Sequence, residues 1–286
     1  MILGKSRQTV IENIKAAAAV EDFYRKVEID DPVLTPSEEK EITDRYLRTH
    51  ENVSFRFKSF FARKIANIGT ALFNKNTEIV GEVDPETLKN GAIITSNHFS
   101  QLENTVIRHY IRRNGLKRLN TVSQVTNFAT TGIVGFLMNY ADTIPLSKDM
   151  RYLTRDFIGV LEKLMQRREV VLIYPEQEMW FNYRKPRKLK RGAYHFAARL
   201  EKPIISCFVE IIDLERLDTS EFRKVKYRLH ILGVIYPDSE KSAKENSEDM
   251  CKADYELKKE AYEKAYGKPL TYDFETSDIA GWLGDK

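Results

Sequence analysis

The chain has 286 residues, more than one minimal domain needs and fewer than two full ones, so a single α/β domain with an extension fits better than two equal halves. Hydrophobic residues make up 42% and charged residues 31%, which supplies a sizeable core under a surface dense in solvated charge. A net charge of +4 with no recognisable module argues against a nucleic-acid binder, and two cysteines, Cys207 and Cys251, without C-x-x-C spacing imply neither a disulfide framework nor a zinc site. No metal cluster is expected. No stretch is apolar for long enough to span a bilayer, and the run Ala16 to Val20 is cut off by Glu21 and Asp22, so no transmembrane helix or signal peptide is expected. A cytoplasmic protein is implied, one that would meet lipid only peripherally, from the inner face of the membrane.

Residues 1–76 read as a helical extension broken at Pro32 and Pro36, with Thr35 or Ser37 able to cap the helix that follows. Within it, Phe57, Phe60, Phe61, Ile65, Ile68 and Leu72 recur near helical spacing beside Arg56, Lys58, Arg63 and Lys64. The apolar face of such a helix packs on its own domain or lies on an anionic membrane, and the first reading has a slight advantage. From Thr77 the pattern alternates. Strands are predicted at 77–83, 92–95, 119–125, 143–146, 170–174, 204–212 and 227–236, and helices at 101–114, 128–140, 151–168 and 192–200. A Glu- and Lys-rich stretch, 239–266, reads as an exposed C-terminal helix. The alternation predicts an α/β fold, a mostly parallel sheet flanked by helices, over 77–286. Chemistry in such sheets collects at the loops beyond the carboxyl ends of the strands, here those after Ile94 and Ile173.

The first of these loops carries Asn97-His98-Phe99-Ser100-Gln101-Leu102-Glu103. A carboxylate about a turn into the next helix reaches back to an imidazole, fixes its tautomer and makes the other ring nitrogen a base for a hydroxyl proton. With five histidines and 42 acidic residues, an acid five positions after a histidine arises by chance in about half of such chains. Position at a strand end is what singles out His98; His50, His109, His195 and His230 lack the acid and read as packing or surface residues.

In order along the chain, several blocks resemble the glycerolipid acyltransferases, which include the bacterial lysophosphatidate acyltransferases. Asn97, His98 and Ser100 match the family's first block, with Glu103 where Asp is usual. Ile144 to Lys148 resembles the second, with Lys148 in place of Arg. Tyr174-Pro175-Glu176-Gln177-Glu178-Met179 resembles the third but lacks its Gly and Arg. Lys190 to Tyr194, Lys202 to Ile205 and Leu232 to Pro237 resemble later blocks, so the similarity spans about 77–237.

The resemblance implies an enzyme in which His98, oriented by Glu103, deprotonates an acceptor hydroxyl. The oxygen then attacks the thioester of an acyl-CoA or acyl carrier protein donor, with no further cofactor. Asn97, Ser100, Lys148, Glu176 and Arg191 are the expected substrate-binding residues, and a lysophospholipid-type acceptor and an anionic membrane surface the expected partners. Six of the eight residues 184–191 are basic and read either as a solvated loop or as a grip on headgroups or donor, Arg191 above all. The alternatives are a catalytically degenerate lipid binder and a hydrolase using Ser96 or Ser100, although the chain has no G-x-S-x-G elbow.

Overall fold

The computed structural model describes residues 7–29 and 31–284. Three helices open it: α1 (Arg7–Ala19), α2 (Pro36–Thr49) and α3 (Val53–Phe73). Thr35, not Ser37, caps α2. Its hydroxyl accepts from Glu38 N–H at 3.3 Å while Glu38 Oε2 accepts from Thr35 N–H at 2.7 Å, and Pro36 fills the first turn, where no N–H is needed.

The rest alternates as β1 (Glu78–Val80), α4 (Pro85–Lys89), β2 (Ile93–Thr95), α5 (Asn104–Arg113), β3 (Leu119–Gln124), α6 (Gly132–Tyr140), β4 (Thr143–Leu146), α7 (Ile158–Gln166), β5 (Val170–Ile173), α8 (Gly192–Arg199), β6 (Ile204–Leu217), β7 (Arg223–Ile235) and α9 (Ala243–Tyr266). The seven strands form one sheet in the order β1-β7-β6-β2-β5-β3-β4. Every pair is parallel except β6 and β7, a long antiparallel hairpin that extends well past both predicted strands. The fold is thus a mostly parallel sheet flanked by helices. β2 and β5 are buried on both faces, which explains their unbroken apolar character. Ile94, Leu172 and Ile205 pack beneath Val106, Ile107 and Ile111 of α5. On the opposite face Ile93, Val171 and Ile204 meet Leu161 of α7, Tyr194 of α8 and Met250 of α9. Among the described residues no helix is long and apolar enough to cross a membrane.

Two helices differ from expectation. α9 is not simply exposed: Met250, Asp254, Lys258 and Tyr262, spaced four apart, form a buried stripe. Asp254 and Lys258 are fully enclosed as an ion pair. Lys258 Nζ also donates to Thr95 Oγ1 at 3.0 Å and Ser206 Oγ at 3.3 Å, and Thr95 Oγ1 donates to Asp254 Oδ2 at 2.7 Å. The charge in this helix thus fastens it to β2 and β6.

α3 is turned the other way from the favoured reading. Its small and polar residues Ser59, Ala62 and Thr70 are buried toward the domain, whereas Phe57, Ile68 and Leu72 are 66%, 62% and 72% exposed. Phe60, Phe61, Ile65 and Phe73 are exposed as well. Ile133 and Val134 of α6, which packs against α3, extend the apolar surface.

Lys258→Met strands the Asp254 charge in the core and is expected to lower stability by about 3–5 kcal/mol, whereas pairing it with Asp254→Asn recovers most of the loss. Urea denaturation of the two variants measures both effects.

Candidate active site

β2 and β5 lie side by side with Thr95 opposite Ile173, so the turns that follow them emerge at the same carboxyl edge. In the first turn His98 Nδ1 hydrogen-bonds Glu103 Oε1. Glu103 is not inside the helix as expected: α5 begins at Asn104, and Glu103 is the buried residue just before it. There its carboxylate faces the positive end of α5. Its second oxygen accepts from the Phe99 and Ser100 N–H groups, the latter at 2.7 Å. An ionised carboxylate can only accept, so Nδ1 carries the imidazole proton and Nε2 keeps its lone pair. The ring remains 21% exposed, open to a substrate.

Tyr174, at the end of β5, stacks flat on the imidazole with centroids 4.3 Å apart and planes 9° apart. Its hydroxyl is buried beside the Glu103 carboxylate. Burial and, after it, the Glu103 charge push its pKa well above the ordinary phenol value, so it remains neutral. The stacked ring blocks imidazole rotation from one face.

The second turn holds the first in place. Glu176 is 2% exposed, and both its oxygens are occupied. One accepts from Arg187 N–H at 3.0 Å. The other accepts from the Arg187 guanidinium at 3.1 and 2.9 Å and from His98 N–H at 3.2 Å. Glu176 therefore orders the histidine turn and has no oxygen left for substrate. Arg187, also buried, donates further to Phe23 O at 3.0 Å and to Glu178 O, and its guanidinium lies 4.7 Å from the Trp180 ring centroid. Trp180 N–H and Asn182 N–H donate to His98 O and Phe99 O at 3.1 and 2.9 Å. The histidine turn is thereby held on both sides by one loop. Gln177 stands where the family pattern has Gly, and it adopts φ 67°, the left-handed conformation glycine takes most easily.

The remaining predicted residues are placed as follows. Asn97 is buried, and its amide pairs with β6, donating to Val209 O at 3.0 Å and accepting from Val209 N–H at 2.8 Å. It extends the β2–β6 ladder by one side chain instead of facing a ligand. Ser100 contributes its N–H to Glu103 and turns its hydroxyl to Leu102 N–H at 3.3 Å. Ser96 is buried and donates to Asn97 Oδ1 at 3.2 Å, so neither serine is presented as a nucleophile. Lys148 is exposed past β4, three strand spacings from β2, or about 14 Å along the same edge.

The basic run is not a free loop, because each of its cations has a partner within the molecule. Lys185 is buried against Asp278 at 2.7 Å, and Arg184 pairs with Asp213. Lys188 and Lys190 lie over the rings of Phe23 and Tyr24. Arg191, exposed, pairs with Glu248 of α9. The run ties together the two ends of the chain. Cys207 is fully buried, and its thiol is pushed up to about 12 by burial, so it offers no thiolate. Arg187, Trp180 and Tyr174 are the site residues whose roles sequence reasoning missed. An arginine that serves the interior looks like any other member of a charge run.

Residues 75–210 match the family model described as Acyltransferase. No curated protein matches the chain significantly. Among solved structures, the 1-acyl-sn-glycerophosphate (LPA) acyltransferase PlsC from Thermotoga maritima is 18% identical, over 82% of this chain and 96% of that one, with a TM-score of 0.49.

Arg187→Met leaves Glu176 charged and unpaired in the interior and is expected to cost about 3–5 kcal/mol of stability, measured by denaturant titration. Arg187→Lys restores charge without the forked geometry and is expected to recover only part of it.

Proposed function

Through residues 75–210 the chain belongs to the acyltransferase family, and from that premise we propose that it acylates a hydroxyl of a lysophospholipid-type acceptor, using a thioester donor, acyl-CoA or acyl carrier protein, at a membrane surface. The observation that carries the reading is the His98–Glu103 pair, with Nδ1 engaged, Nε2 left free of it and the ring part-exposed. The acceptor hydroxyl gives its proton to Nε2 as its oxygen attacks the thioester carbonyl. The C–S bond breaks, and the proton passes from the imidazolium to the departing thiolate. Glu103 steadies the transient imidazolium, while Tyr174 and the Glu176–Arg187 brace keep the ring in one orientation. The chemistry uses no acyl-enzyme, in keeping with the turned-away Ser96 and Ser100. Among the cations at the edge, headgroup recognition is assigned to Lys148.

The exposed apolar face of α3 supports peripheral work on a bilayer, on the inner face of the membrane. α3 ends beside the catalytic turn: Asn74, its C-terminal neighbour, donates to Thr105 Oγ1 at 2.9 Å, two residues beyond Glu103. Ile68, Leu72, Phe73 and the exposed Leu102 therefore form an apolar approach to His98 for a lipid that never fully leaves the membrane.

Acyl transfer from acyl-CoA to a panel of lysolipids, followed by mass spectrometry, tests the chemistry. His98→Ala and Glu103→Gln are each expected to lower kcat by about 10²–10⁴ with folding intact. Retention of transfer by His98→Ala, or thioester cleavage that ignores the acceptor, overturns the reading. Replacing Phe57, Phe61 and Ile68 with Ser is expected to weaken vesicle co-sedimentation by more than tenfold without lowering Tm, since each side chain contributes about 1.5–3 kcal/mol when buried.

A further inference from the structure

A cleft lies away from His98, at the opposite end of α5. It has a volume of about 360 Å³ between Phe60, Arg63, Lys64 and Asn67 of α3 and Arg112, Gly115, Leu116 and Lys117. The ten-residue α5 separates it from the catalytic turn by about 15 Å. Four of its lining residues are cations, Arg63, Lys64, Arg112 and Lys117, and none is acidic. Arg63 is paired with Asp142 at 2.9 Å. Lys64 has only the Phe60 ring, 4.6 Å away, and Arg112 and Lys117 are exposed with no carboxylate partner among the described residues. Behind them Arg108 is buried with Nη1 unpartnered, and Asn67 buries a carbonyl oxygen that has no donor. Uncompensated cations around a recess call for an anion.

The position on α3 says where that anion comes from. At about 100° per residue, Phe60, Arg63, Lys64 and Asn67 form a stripe between the buried face of α3 and its exposed apolar stripe, Phe57, Phe61, Ile68 and Leu72. A helix lying with its apolar stripe in the acyl region holds that flank at headgroup depth. We propose that this cleft binds the headgroup of an anionic phospholipid of the bilayer, the phosphate held by Arg112, Lys117 and Lys64. The site is separate from the acceptor's and fixes how the protein lies on the membrane. It rests on the membrane-face reading of α3.

Co-sedimentation with phosphatidylcholine vesicles, with and without phosphatidylglycerol, separates the two ideas. Binding to phosphatidylcholine alone reads the apolar face; the gain on adding phosphatidylglycerol reads the cleft. Arg112→Gln with Lys117→Gln is expected to cut that gain by about 30-fold, two cations near an anionic surface, and leave phosphatidylcholine binding unchanged. Lys75→Gln with Arg113→Gln removes two exposed cations outside the cleft and is expected to cost far less. Equal losses in the two charge pairs mean diffuse attraction and overturn the cleft. So does a wild-type protein that binds phosphatidylcholine but gains nothing from phosphatidylglycerol. Competition of the gain by inorganic phosphate, matched for ionic strength, with no discrimination among lipids identifies a free-phosphate site and overturns the headgroup assignment. Absence of binding to every vesicle overturns the membrane-face reading itself and this proposal with it.

Discussion

A single buried ion pair, Glu176 with Arg187, holds the turn that carries His98. Its carboxylate takes the His98 N–H, and its guanidinium reaches the Phe23 carbonyl near the end of the N-terminal segment. A pair so deeply enclosed contributes little net stability, because desolvation offsets most of the attraction, yet breaking it leaves an uncompensated charge. What it supplies is geometry. The loop between the partners also gives Trp180 and Asn182 their bonds to His98 and Phe99, so the turn after β2 is held by the turn after β5. Glu103 then has only to close the last few ångströms to the imidazole.

Charge is used in two distinct ways. The basic run 184–191 is paired within the molecule, Lys185 and Arg187 in the interior with Asp278 and Glu176, and the others nearer the surface with Asp213 and Glu248 or over the rings of Phe23 and Tyr24. It joins both ends of the chain to the loop that positions His98. The outward cations of α3 and of the segment after α5 line a cleft without carboxylates. Residues that look alike along the chain are thus placed differently, one set tied to partners within the fold and the other left without carboxylates beside a cleft.

Much of the frame was legible from the residues. β2, β4 and β5 fall within a residue or so of their predicted bounds, since short runs such as Val170 to Ile173 are apolar enough to need burial on both faces. The β6–β7 hairpin was longer than read because its distal half is exposed and polar, and there pairing between strands substitutes for an apolar signal. Glu103 was expected inside α5 and lies just before it, because its carboxylate is engaged by the turn's own N–H groups. The outward apolar face of α3 could not be read at all: amphipathic periodicity defines two faces and does not say which one meets the domain.

The sequence by itself determined the alternation of strand and helix, the turns that carry His98 and Glu176, and the pairing of an imidazole with a carboxylate five residues on. These are local properties, set by periodicity, by strand ends and by the reach of a side chain across a turn. Only the tertiary structure decided what lies opposite each group. It gave Glu176 to Arg187 and Asn97 to Val209, paired the basic run within the molecule, and left α3 with its phenylalanines uncovered. A side chain's partner across the fold depends on strand order and helix packing, and no local pattern encodes either.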